Sequence, residues 1–165
     1  MGSGSLAEFE IWLRDMAGPG YRLAFAMLQD RALAEDALQE ATIKAWRHFH
    51  RLDRDRPPLP WFLTIVANCC RTHWRSRWRS VVPLDDALRD QKDDSAAAVQ
   101  REDLRQALLR LNQEDRLIVV LHFYLDLPLA EVAEIAGMKL GTLKTRLYRA
   151  VRSLRPDVRY DDGLL

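Results

Sequence analysis

Between residues 139 and 155 the chain carries six basic residues and no acidic one. At helical spacing, Leu143, Leu147, Ala150, Val151 and Leu154 fall on one stripe. Thr145, Tyr148, Arg149 and Arg152 fall on another, bordered by Lys144. The second stripe offers hydrogen-bond donors and an aromatic ring without a carboxylate. That chemistry suits nucleic acid: arginine reads guanine through O6 and N7, while lysine and threonine more often grip phosphate. A basic stripe alone would read equally as a solvated face, but the preceding residues sharpen it. Ala133 is small where two helices must cross closely, and Gly137 follows four residues later, where a turn needs a left-handed backbone. Leu143 comes six residues after that, where a second helix re-enters the core. This is the spacing of a helix-turn-helix, whose second helix enters the major groove.

A second stretch, residues 61–79, interleaves aromatics with cations. Arg71, Arg75 and Arg79 recur every four residues, as do Trp74 and Trp78, with His73 and Arg77 between them. Rings on which bases stack and guanidinium groups that hold the backbone suit single-stranded or distorted nucleic acid. Tryptophans at this spacing also suit core packing, whereas arginines without an acid among them do not. Cys69, Cys70 and His73 offer three candidate ligands on one helix, short of a four-ligand zinc site. They read better as buried small side chains. No catalytic site, metal or cofactor is expected.

The elements that must position these residues are helical. Strand alternation is nearly absent, and apolar residues recur at three- and four-residue steps. Residues 6–17 and 21–29 read as two short helices split by Gly18-Pro19-Gly20. Residues 31–50 read as a longer one, with Ala34, Ala37, Leu38, Ala41, Ala45 and Phe49 on its core face and Asp36, Glu40, Lys44 and Arg47 opposite. Pro57, Pro58 and Pro60 predict a loop over residues 51–60. Residues 81–94 are acidic, lack a core stripe and read as a flexible linker. Beyond it, Leu104, Ala107, Leu108 and Leu111 form a stripe and Asn112 is placed to cap the next helix. The run from 117 to 125 is apolar nearly all round, predicting burial, and Pro128 opens a short helix ending near Gly137. The reading is all-α: two small helical domains (residues 6–80 and 96–155), with a loose tail over 156–165. Residues 1–5 look like an expression scar.

Length and composition fit this scheme. The chain has 165 residues, 48% apolar and 30% charged, with a formal net charge of +1. That total argues against a nucleic-acid binder only until it is divided. Residues 1–70 sum to −1, 71–80 to +4, 81–115 to −4 and 116–165 to +2. Basic charge sits on the two stretches above. Acidic charge sits mainly between them, where it would limit nonspecific DNA binding. No run approaches 18 apolar residues and no signal-peptide pattern is present, so no membrane contact is expected. Two adjacent cysteines make no disulfide framework, which fits a reducing cytoplasm.

Taken together, the chain resembles the extracytoplasmic-function (ECF) sigma factors of the sigma-70 family over residues 6–155. The resemblance rests on Ala34-Glu35-Asp36-Ala37-Leu38-Gln39-Glu40 leading to Ala45-Trp46, and on Trp61-Phe62-Leu63, Ile65 and Asn68 before the basic end. It continues with Leu108, Leu111 and Arg116, then Leu129-Ala130-Glu131-Val132-Ala133-Glu134-Ile135-Ala136, then residues 140–150. Thr72 and Asn112 depart from the family pattern, where Asp and Pro are common. The resemblance implies a specificity subunit of bacterial RNA polymerase without catalysis of its own. It implies that Asp36, Gln39 and Glu40 dock on polymerase. Trp61, Asn68, Arg71, Trp74, Arg75 and the proline-rich loop would handle the exposed −10 strand. Lys144, Thr145, Tyr148, Arg149 and Arg152 would meet the −35 duplex. Core polymerase, promoter DNA and an anti-sigma factor are the implied partners. Two other readings compete: an ordinary helix-turn-helix regulator with an N-terminal effector or dimerisation domain, and a metal- or thiol-dependent enzyme using Cys69, Cys70 and His73.

Overall fold

The computed structural model describes residues 3–79 and 96–154, and among these every regular element is helical. The expected linker and tail lie outside the described residues. In the N-terminal unit, helix α1 (Ser3–Leu28), helix α2 (Arg31–His48) and helix α3 (Pro58–Arg79) each pack on the other two. Asp30 caps α2, its side chain accepting from the Leu33 N–H at 3.0 Å. Ala34, Ala37, Ala41 and Ala45 are all fully buried, so small side chains bring α2 close to its neighbours. A short 3-10 turn, Phe49–Arg51, follows α2 and buries Phe49.

Two expectations about breakers are corrected. α1 runs unbroken through Gly18-Pro19-Gly20. A proline in a helix interior costs roughly 3 kcal/mol. Burial of Leu23, Ala24, Met27 and Leu28 just beyond it offsets that, at about 1.5–3 kcal/mol for each large side chain. Gly20 is needed for close approach: a Cβ there would lie 2.8 Å from the Phe62 ring and 3.0 Å from Leu38. Similarly, α3 begins at Pro58 and includes Pro60. Both fall in the first turn, where the missing N–H has no intrahelical partner to lose.

The C-terminal unit holds helix α4 (Ala96–Arg110), helix α5 (Gln113–Val119), a π-helical turn (Val120–Tyr124), helix α6 (Leu129–Ala136) and helix α7 (Leu140–Leu154). Asn112 caps α5 as expected, accepting from the Asp115 N–H at 2.9 Å. Of the apolar run, Leu117 to Leu121 is buried, but Phe123 and Tyr124 emerge to solvent. The five-residue step of the π turn, with Leu125 N–H on the Val120 carbonyl, rotates them out of the core stripe. Of the α4 stripe, Ala107 and Leu111 are buried while Leu104 is exposed. Gly137 (φ 68°) ends α6, and Met138 and Gly137 donate to the carbonyls of Ala133 and Glu134. α7 then buries Leu143, Leu147, Ala150 and Val151. The two units are packed together: α3 lies on α6, and α1 touches α5 and the π turn.

Candidate nucleic-acid and polymerase interface

On α7, Lys144, Thr145, Tyr148, Arg149 and Arg152 are all exposed, with Tyr148 54% accessible. The Thr145 hydroxyl donates to the Gly141 carbonyl at 3.1 Å, leaving its oxygen able to accept. Arg146, between these residues in sequence, turns the other way. Its Nε donates to Oδ1 of Asp115 at 2.8 Å, and Nη2 reaches Oδ1 of Asn112 at 3.4 Å. Helix α7 is thus tied to the capped start of α5. Sequence reasoning passed over Arg146. The signal available was that it lies off both stripes of α7, while Asp115 follows a cap.

The residues expected to meet the −10 strand divide. Trp61 is half-buried at the start of α3, 5.8 Å from Trp12 in an aromatic cluster that includes Phe9, Phe49 and Phe62. Arg75 is exposed. Asn68, Arg71 and Trp74 come together where α3 meets the C-terminal unit. Arg71 forks onto Glu114, with Nε and Nη2 donating to its two carboxylate oxygens at 2.8 and 3.0 Å. Nη2 also reaches the Ala136 carbonyl at 3.5 Å, and Nη1 donates to Asn68 Oδ1 at 2.8 Å. The Glu114 carboxylate holds the Arg71 guanidinium above its ordinary pKa, burial opposing.

Beside this pair lies Arg116, 1% exposed. Its nitrogens donate to the carbonyls of Leu108, Leu109 and Leu111 at the end of α4 and to that of Met27 in α1, at 2.8–3.3 Å. Its guanidinium carbon stands 5.1 Å from the Trp74 ring centroid. Burial pulls the Arg116 pKa down. A cation among apolar side chains is tolerable here because it satisfies the orphaned carbonyls of a helix end. Sequence reasoning noted Arg116 without its role, although an arginine leading a run of apolar residues was the signal.

On α2, Asp36 and Gln39 are exposed, whereas Glu40 is half-buried with Oε1 3.1 Å from His73 Nε2. Among the described residues no group of three His, Cys, Asp or Glu converges for a metal. Burial pushes the Cys70 thiol up to about 12, and it raises Cys69 despite Lys44 Nζ at 3.5 Å.

Comparison with known proteins decides what this assembly is. The family described as "Sigma-70 region 2" matches residues 13–80, and "Sigma-70, region 4" matches residues 101–154. The chain is 34% identical over 141 residues to the ECF RNA polymerase sigma factor SigL of Mycobacterium tuberculosis, covering 82% of this chain and 80% of that one. The chain belongs to the ECF sigma factors. A second relative of this sigma factor is SigV of Bacillus subtilis, 30% identical over 142 residues and 86% of each chain. The same fold is found in the sigma factor RpoE of Bartonella quintana, solved with the anti-sigma factor NepR. Its TM-score is 0.75 at 23% identity, covering 93% of this chain and 98% of that one. Region 2 of the sigma factor falls on α1 to α3 and region 4 on α4 to α7. A sigma factor acts in promoter recognition at transcription initiation, and two sigma regions in order do not favour the reading as an ordinary regulator. Among the described residues, no helix is long and apolar enough to cross a membrane.

Proposed function

We propose that this sigma factor directs RNA polymerase by dividing promoter recognition between its two units. The observation that carries the reading is the exposed, acid-free face of α7, braced from behind by Arg146, on a chain that also carries region 2. Residues 96–155 would bind the −35 duplex, with Arg149 reading a base edge and Lys144, Thr145, Tyr148 and Arg152 positioning the helix. Residues 6–80 would bind polymerase through Asp36, Gln39 and Glu40 and hold unpaired −10 bases through Trp61, Asn68, Arg71, Trp74 and Arg75. Residues 81–95 would join the two. Opening each base-pair step costs about 1.4 kcal/mol of stacking. Base capture and polymerase contacts must together offset that, so free-protein affinity for DNA is weak.

On this reading the chain has no catalytic centre of its own and works in the cytoplasm. An anti-sigma factor would hold it inactive; the structural relative RpoE is solved in complex with one, NepR. Co-elution with core polymerase tests the proposal, because an ordinary helix-turn-helix regulator is not expected to form a stoichiometric complex with core enzyme. Duplex binding adds a second arm. If α7 neutralises about four phosphates, log affinity falls with log salt at a slope near −3.6. Failure to co-elute, with salt-independent DNA binding, would overturn it.

A further inference from the structure

Helix α2 carries Asp36, Gln39 and Glu40, and Lys44 follows one turn beyond Glu40. Glutamate followed four residues later by lysine is the favoured order for an ion pair along a helix. Arg31 and Glu35, at the same spacing earlier in α2, do pair, at 3.1 Å. Among the described residues, however, no ion pair joins Glu40 to Lys44. Both side chains turn instead to α3, where Cys69 and His73 stand at the same four-residue step. Glu40 Oε1 lies 3.1 Å from His73 Nε2, and Lys44 Nζ lies 3.5 Å from Cys69 Sγ. A carboxylate oxygen only accepts, so the imidazole Nε2 carries the proton of the first contact. The His73 side chain is 17% exposed and that of Glu40 46%. The anchor is therefore sheltered by packing while the carboxylate still reaches solvent.

We propose that His73 is a positioning residue for polymerase docking, holding the Glu40 carboxylate off Lys44 so that it stays available to a cation of the polymerase. The inference rests on the assignment of Glu40 to the docking face. Held through Oε1, the carboxylate keeps Oε2 for an incoming guanidinium or ammonium group. A side chain ordered before docking also loses less freedom on binding. Without the imidazole donor, Glu40 falls back on its neighbour one turn along, and Lys44 takes up the charge that the polymerase needs. Lys44 is free to do so because its own anchor is weak. Burial pushes the Cys69 thiol up, so the sulfur stays a neutral, poor acceptor. Since α3 is also the helix assigned above to the −10 strand, the contact joins the two working helices of the unit.

The test titrates the full chain against core RNA polymerase by fluorescence, with a mixed-sequence DNA duplex as a control for the fold. Glu40→Ala is expected to weaken the polymerase complex roughly fivefold. His73→Phe keeps a ring of similar shape without the donor and is expected to cost about the same. His73→Gln places an amide N–H near the Nε2 position and is expected to stay within about twofold of wild type. Lys44→Gln alone is expected to change binding by less than about twofold, yet added to His73→Phe it is expected to recover most of the loss. That recovery is a readout that a packing role does not move. Glu40→Ala combined with His73→Phe is expected to bind no worse than Glu40→Ala. His73→Phe is expected to bind duplex within about twofold of wild type. Wild-type polymerase affinity in Glu40→Ala overturns the docking role of Glu40, and the proposal with it. A loss in Glu40→Ala without one in His73→Phe overturns the positioning alone. A His73→Phe loss that Lys44→Gln does not relieve, or that duplex binding shares, overturns it as damage to packing.

Discussion

Arg146 and Asp115, thirty-one residues apart, meet at 2.8 Å between the recognition helix and the first turn of α5. The pair is 30% and 20% exposed, so solvent weakens it only in part. Arg146→Ala should lower stability by about 1 kcal/mol and weaken −35 duplex binding, although Arg146 lies off the exposed stripe proposed to meet DNA. Urea denaturation and duplex titration check this. Asp115→Asn should reproduce the binding loss, and the double variant should add little to either.

Arg149 points outward from the same helix. Arg149→Ala should weaken −35 binding and relax discrimination at one base position by ~1–3 kcal/mol. Titrations with matched and singly altered duplexes measure it. Equal discrimination by both proteins would remove Arg149 from base readout.

Asp36 is exposed on the face of α2 opposite the alanine stripe. Asp36→Arg should cut core polymerase recovery in a pull-down while duplex binding stays at the wild-type value.

Arg116 serves four carbonyls from a buried position. Arg116→Ala leaves them without that donor and should cost roughly 3 kcal/mol or more. Its effect on denaturant midpoint should exceed that of Arg146→Ala several-fold.

Cys69 and Cys70 are buried, and the Cys70 thiol is pushed up to about 12. The thiolate is the reactive form, and an unfolded cysteine ionises near pH 8.5. At pH 8 both thiols should therefore react with an aromatic disulfide reagent far more slowly in the native protein than in denaturant. Cys-to-Ser variants should retain transcription.

The recognition helix was legible because its signals are local. Ala133, Gly137 and Leu143 lie within eleven residues, and the left-handed Gly137 and the Asn112 cap follow from side-chain chemistry at fixed offsets. The break at Gly18-Pro19-Gly20 was misread because the deciding contact, Gly20 against Phe62, is tertiary. Prolines 58 and 60 were misread because their cost depends on helix position, and the start of α3 lies between them and the loop. For the site, spacing singled out Arg71 as a candidate nucleic-acid contact but could not find Glu114 as its partner. That pair spans 43 residues and exists only because the two units meet. The acids Asp85, Asp86, Asp90, Asp93 and Asp94, read as a brake on nonspecific binding, lie outside the described residues. Among the described residues, the carboxylates of Glu114 and Glu134 meet Arg71 and Arg56.

The central claim is tested most directly by transcription from a random promoter library, using core polymerase with and without this protein and sequencing the transcript starts. The account predicts new start sites that appear only with the protein, preceded by two shared elements at a fixed separation. Arg149→Ala should blur the upstream element alone. Start sites identical to those of core polymerase alone would contradict it.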